Sequence, residues 1–169
     1  SAIHQTYSNI EVIVVNDGSN DGGATEKIAL SYGESIRYIH KKNGGSSSAL
    51  NCGIAHMRGD YFSWLSHDDV YLPDKIKTEM EVAKENPGNV IICDSYLIDY
   101  VGNRMIGKKN NLFGIKNDES AFFSLIHGHG INGCTVLVPK KVIDTIGYFD
   151  EEMIYLNDLD YWYRMMFTG

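Results

Sequence analysis

Asp68 and Asp69 stand side by side directly after the apolar run of DYFSWL, within the stretch WLSHDDVYLP from Trp64 to Pro73. Two adjacent like charges repel and prefer water, so the pair calls for a function or a local structural job. A hard divalent ion such as Mg²⁺ or Mn²⁺ takes oxygen ligands, commonly one or two carboxylates completed by substrate phosphates. The competing job is capping, because Asp69 or Asp74 could serve the helix that follows Pro73. Spacing leaves both readings open.

Asp17, in VVNDGSND, is a second carboxylate on a loop that follows a strand-like run. It could accept a hydrogen bond from a base N–H or a ribose hydroxyl. It could equally be a turn residue, since Asn-Asp-Gly-Ser is favourable turn composition. Asp158 and Asp160, in YLNDLDYWYRM, form a third acidic group. With Asn157 as N-cap, both would fall in the first turn of a helix, where negative charge is favoured. A general base needs a fixed carboxylate at a pocket's rim, and the same position would suit one.

Other chemistry finds little support. GNRMIGKK (Gly102 to Lys109) imitates a phosphate loop but lacks the closing hydroxyl residue and a following helix, and reads as a hairpin. His127 and His129 in HGHG have no partner carboxylate motif and make a weak metal site. No G-x-S-x-G occurs, so a hydrolase nucleophile elbow is not indicated. Cys52, Cys93 and Cys134 are odd in number and widely spaced, which fits free thiols in a reducing compartment.

The elements that would position these groups follow from periodicity and punctuation. Val12 to Val15 predicts a buried strand ending in the Asn16–Ser19 loop, followed by a helix in ATEKIALSYG. IRYIH (Ile36–His40) predicts a second strand, KKNGGSSS a loop, and SALNCGIAHMRG a helix. DYFSWL predicts a third strand, with Asp68 and Asp69 at its C-terminal end. LPDKIKTEMEVAKENPG reads as an amphipathic helix bounded by Pro73 and Pro87-Gly88. NVIICDSYLIDY and RMIG read as strands about a Gly102-Asn103 turn, SAFFSLIHG as a helix, CTVLVP as a strand and KKVIDTIG as a short helix. Alternating strands and helices imply crossovers, a largely parallel sheet and helices on both faces. Ligands in such sheets bind at the C-terminal strand ends, where both acidic loops fall. The opening SAIHQTYSN resembles the tail of a helix, so a preceding strand is expected to be missing.

A chain of 169 residues, 43% hydrophobic and 22% charged, is the size of one globular domain. A formal charge of −7 argues against nucleic acid as the main partner. It leaves room for a nucleotide whose phosphates are neutralised by a cation. No apolar run approaches the ~18 residues of a membrane span.

The order of three blocks is more specific than any one of them. QTYSNIEVIVVNDGSNDG, then NGGSSSALNCGIAHMRGDYFSWLSHDD, then GYFDEEMIYLNDLDYWYRM resembles the family 2 glycosyltransferases, which are inverting, nucleotide-sugar-dependent enzymes. The resemblance covers nearly the whole chain. It implies an α/β fold of the GT-A type (nucleotide-diphospho-sugar transferase, Rossmann-like), with a mixed, mostly parallel sheet and helices on both faces. It also implies that residues 1–169 are a single catalytic domain, cut at both ends.

Residue by residue, the resemblance places the base-contacting acid of the family's D-D-G-S loop on Asp17, with Ser19 beside it. The last carboxylate of the D-x-D metal motif falls on Asp68 and the Asp that often follows on Asp69. The base that opens a late helix falls on Asp158, and Gly133 and Thr135 fall near the acceptor side. The implied cofactor is Mn²⁺ or Mg²⁺. The implied partners are a UDP-sugar donor, a saccharide or lipid-linked acceptor and a second copy of the chain as a homodimer; the implied location is cytoplasmic, with the cytoplasmic face of a membrane left open. The chain departs from the pattern at Ser66, which replaces the first Asp of D-x-D, at Leu50, where many members carry Arg, and at Asn157, which replaces Glu. The alternative reading is a non-catalytic nucleotide-binding module; a nucleotidyltransferase would need a basic glycine loop near the start.

Overall fold

The computed structural model describes residues 1–110, 119–120 and 131–168. The helix expected in SAFFSLIHG falls almost wholly outside them, as do His127 and His129. In chain order the strands are β1 (Ile13–Asp17), β2 (Arg37–Lys41), β3 (Tyr61–Ser63), β4 (Ile91–Ile92), β5 (Ser95–Ile98), β6 (Arg104–Asn110) and β7 (Val136–Pro139). The α-helices used below are α1 (Ala24–Leu30), α2 (Gly45–His56), α3 (Lys75–Glu85), α4 (Lys140–Ile146) and α5 (Asn157–Thr168). The opening segment is a 3₁₀ turn, Ala2–His4, rather than the tail of an α-helix.

The β-branched run of β1 pairs in parallel with β2, from Ile13 opposite Arg37 to Asp17 opposite Lys41. The α1 crossover makes this direction possible, because parallel neighbours need a connection longer than a hairpin. The α/β character expected from the sequence is therefore present, but the pairing elsewhere is antiparallel. β7 lies between β3 and β4 and runs against both, with Ser63 opposite Leu137 and Ile92 opposite Val136. β3 and β4 themselves point the same way, as their connection through α3 requires. Local patterning predicts that crossover; it carries no signal that a strand more than forty residues later would be inserted between them.

β7 is the most enclosed strand, with Val136, Leu137 and Val138 each no more than 2% exposed. Val136 and Val138 join Ile54, Ile143, Phe149, Tyr161 and Trp162 in the main core, while Leu137 packs with Ala83 and Ile91. Phe149 and Tyr161 stack with ring centroids 3.8 Å apart, and Trp64 meets Phe149 edge-on at 6.2 Å. α3 buries Ile76 and Ala83 and presents its charged residues outward, apart from a buried ion pair, Lys75 to Glu79 at 2.8 Å. Its N-terminus is served from a distance: Gln5 accepts from the Ile76 N–H at 3.1 Å. Asp74 occupies the cap position, but its carboxylate takes the Thr6 hydroxyl at 2.7 Å. The apparent phosphate loop is indeed a hairpin, in which Asp99 gathers the N–H groups of Val101 and Asn103 and β5 pairs with β6.

Candidate functional site

Asp17 ends β1, and its loop turns back over the start of α2. Gly18 makes that turn at φ +70°, and a Cβ there would lie 2.7 Å from the Asn43 backbone nitrogen. Asn16, buried on the other face, accepts from the Ser19 N–H at 2.9 Å and donates to the Tyr38 hydroxyl at 2.8 Å, which fixes the loop's exit. The Asp17 carboxylate reaches forward to Lys41 Nζ at 2.7 Å and accepts from the N–H groups of Gly44 at 3.1 Å and Gly45 at 2.8 Å. Burial raises its pKa, but the Lys41 hydrogen bond, the two glycine N–H groups and the Lys41 charge outweigh that and hold it below the usual carboxylate range.

The same helix end receives a second element. α5 opens at Asn157, which is buried and donates its side-chain amide to Ser46 Oγ at 3.1 Å and Ser47 Oγ at 2.8 Å. Asn157 therefore does not act as the side-chain cap expected from the sequence. It is the first helical residue, and the preceding Leu156, at φ 59°, supplies the carbonyl that accepts from Asp160 N–H at 3.0 Å. A left-handed conformation at a γ-branched residue is strained, and it sits beside the two carboxylates of interest.

Those carboxylates differ. Asp160 is committed to an ion pair with Arg164: its Oδ2 accepts from Nε at 2.9 Å and lies 2.8 Å from Nη2. Asp158 is half-buried and accepts from the adjacent Leu159 N–H at 2.8 Å. Of the two, Asp158 is the one without a cation already bound to it among the described residues. Glu151 approaches from the segment before α5, where Asn51 of α2 holds its carboxylate at 2.9 Å and brackets the Phe149 backbone. Hydrogen bonds from Asn51 and Ser48 lower its pKa, and Lys41 and Asp17 are close enough to act on it electrostatically.

Asp68 and Asp69 occupy the loop after β3. Asp68 is exposed and Asp69 half-buried. Neither caps α3, whose N-terminus is served by Gln5. Ser66 donates its N–H to Cys134 Sγ at 3.2 Å, and the Asp69 carboxylate lies within hydrogen-bonding reach of that thiol. Burial raises the Cys134 pKa, and Asp69 pushes it further in the same direction. Trp64 packs against Gly133, where a Cβ would fall 2.1 Å from the ring, so that position must be glycine for the loop to sit here. Through Trp64 and Phe149 the loop is packed to α5; among the described residues no hydrogen bond joins Asp68 or Asp69 directly to Asp17 or Asp158. Nor do the described residues gather three His, Cys, Asp or Glu side chains into a group able to hold a metal ion.

A family model described as Glycosyl transferase family 2 matches residues 1–147. The chain belongs to glycosyl transferase family 2. A glycosyltransferase of Rickettsia prowazekii is 46% identical over 97% of this family 2 chain and 52% of its own length. One from Rickettsia conorii is 45% identical over 98% of the chain and 28% of its own length. The chain thus spans about half the length, or less, of these curated relatives. Among solved structures, Staphylococcus aureus TarS residues 1–349 in complex with UDP is similar at a TM-score of 0.71 and 14% identity, over 98% of this chain and 48% of that one. At that identity the likeness establishes a shared GT-A-like fold.

Sequence reading singled out Asp17, Ser19, Asp68, Asp69 and Asp158 but missed the groups that organise them. The Gly-Gly-Ser-Ser-Ser run from Gly44 carries no helical pattern and predicts a loop, whereas α2 begins at Gly45 and Lys41 ends β2. Asn51 and Glu151 are a hundred residues apart and share no sequence signal. A separate cavity of about 310 Å³ lies at the far end of α2, lined by Ile54, Met57, Ile143 and the paired Lys140 and Asp144, away from all of these groups. Among the described residues no helix is long and apolar enough to cross a membrane.

Proposed function

We propose that the chain is a catalytic domain that moves a sugar from a nucleoside-diphosphate donor to an acceptor hydroxyl with inversion at the anomeric carbon. The observation that carries this reading is the meeting of two elements on one helix end. Asp17 holds the Gly44 and Gly45 N–H groups, and Asn157, next to Asp158, holds Ser46 and Ser47. A nucleoside-reading loop and a base-bearing helix anchored to four consecutive residues keep a fixed separation, which single-displacement chemistry requires.

In this reading the Asp17–Ser19 loop recognises the nucleoside, with UDP-sugars the donor class that the family resemblance suggests. Asp158 removes the proton from the acceptor hydroxyl as that oxygen attacks opposite the leaving diphosphate. Asp160 is less suited to that role because its charge is already spent on Arg164. Asp68, exposed, and Asp69 offer the one or two carboxylates that a hard Mn²⁺ or Mg²⁺ ion needs when phosphate oxygens complete its shell. Such an ion would neutralise charge on the departing diphosphate. The donor set fits an ion that arrives with its substrate better than one held by protein alone, and Ser66 at the first D-x-D position is consistent with that. The acceptor is a saccharide or a lipid-linked sugar.

The test is thermal stabilisation by a panel of nucleotide-sugars with and without Mn²⁺. A donor present at 100 times its Kd should add about 2.7 kcal/mol of stability. No upward shift with any nucleoside diphosphate would rule the reading out.

A further inference from the structure

Tyr71 lies outside the acidic groups discussed so far, yet its contacts close the loop that carries Asp68 and Asp69. Its hydroxyl donates to the Trp64 carbonyl at 2.5 Å and meets Ser63 Oγ at 2.8 Å. Residues 64 and 71 are the two ends of the loop, so this contact is a clasp across its neck. Compact loops with joined ends are ordered by such contacts more than by their own backbone pairing. Inside the loop one backbone hydrogen bond is present, Asp69 N–H to the Ser66 carbonyl at 3.3 Å.

The clasp is itself held from behind. Lys75 Nζ sits 4.3 Å from the centre of the Tyr71 ring, reaches Ser63 Oγ at 3.3 Å and pairs with Glu79 at 2.8 Å. The ring packs with Ile76 and Cys134, and Cys134 in turn receives the Ser66 N–H. One phenol thus touches the strand that leads into the loop, the helix that follows it and the thiol beneath it. In a residue only 8% exposed, a hydroxyl with two partners is costly to leave unpaired, so its geometry is fixed.

We propose that Tyr71 is a positioning residue: its hydroxyl, by clasping Trp64 and Ser63, sets where Asp68 and Asp69 stand when a metal-bound diphosphate arrives. This rests on the assignment of those carboxylates to the metal-diphosphate site. Tyr71→Phe keeps the ring and its packing and removes the clasp alone. Amide hydrogen exchange across residues 65–70 should accelerate, while exchange in α5 and the β7 core stays as in the parent. Binding of UDP with Mn²⁺, followed by calorimetry, should weaken about tenfold. Binding of UDP without metal should be unchanged, which separates a misplaced loop from general destabilisation. Ser63→Ala, which removes one of the two partners, should give a smaller change of the same kind and carries the test if Tyr71→Phe does not fold.

Asp68→Asn is measured alongside. If it weakens Mn²⁺-dependent binding while Tyr71→Phe and Ser63→Ala leave binding and loop exchange unaltered, the clasp is overturned and the site assignment stands. If Asp68→Asn has no effect, the site assignment has failed and the role given to Tyr71 falls with it.

Discussion

The Asn157 amide donates to Ser47 Oγ at 2.8 Å, joining the start of α5 to the first turn of α2 across 110 residues of sequence. Both groups are buried, at 8% and 3% exposure. Asn157→Ala removes the donor and leaves the serine hydroxyl with one partner fewer away from water. The expected cost is about 1–3 kcal/mol. Because about 1 kcal/mol moves the melting temperature of a domain this size by roughly 2–4 °C, calorimetric melting should resolve it. A melting temperature equal to the parent's would show that the contact does not hold the two helices.

Asp158→Asn keeps size and nearly all hydrogen bonding but cannot accept the acceptor's proton. Sugar transfer should fall by at least about a hundredfold, in line with general-base contributions. Nucleotide affinity should stay within about twofold, since the amide leaves the donor loop untouched. Steady-state transfer assays paired with calorimetric UDP binding measure both quantities. Transfer at the parent rate would move the base elsewhere, with Glu151 the next carboxylate to test.

Asp68→Ala should weaken nucleotide binding in the presence of Mn²⁺ and leave metal-free binding as it was. Calorimetry in the two conditions reads the difference directly. Equal affinity for variant and parent in both would exclude Asp68 as an ion ligand.

Asp17 gives a pH dependence. Lys41 and the glycine N–H groups hold its pKa below the unfolded value, despite the opposing effect of burial. At acid pH the unfolded chain therefore takes up this proton first, and stability must rise with pH across that interval. The contribution is fully present above the ordinary carboxylate range and disappears as pH falls through the depressed folded value. Urea midpoints taken between pH 5 and pH 2 (roughly the carboxylate range) should fall less steeply for Asp17→Asn than for the parent. Parallel curves would mean that Asp17 is not preferentially ionised in the folded state.

The elements that were legible in sequence are those whose signal is local. The β-branched run of β1, the Pro-bounded amphipathic α3 and the Gly102 turn each carry their own pattern and each is present, although β1 runs on through Asn16 and Asp17, whose composition predicts a loop. Adjacent or strand-end acids also stand out in sequence, which is what makes Asp17, Asp68 and Asp69 candidates. What was not legible depends on partners distant in sequence. Asn157 has the composition of a cap, yet Ser46 and Ser47 take its amide. Asp74 stands at a cap position, yet Thr6 takes its carboxylate while Gln5 serves the helix. Asp17 has ideal turn chemistry, but its partners Lys41, Gly44 and Gly45 are known only once β1 and β2 pair. Hydrogen-bonding side chains satisfy whichever group the tertiary fold delivers, and periodicity does not encode that choice.

The reversed placement of β7 has a consequence for the order in which the molecule is assembled. Ser63 contacts the Val136 carbonyl across 73 residues, and β3 and β4 meet only through the strand between them. During synthesis β3, its acidic loop and β4 emerge long before that strand, and contacts so far apart along the chain are closed late. Until residue 134 leaves the ribosome, Trp64 has no Gly133 to pack against and Ser66 no Cys134 thiol to donate to. A nascent chain halted before β7 would carry both carboxylates of the loop after β3 and still lack the residues that loop packs on.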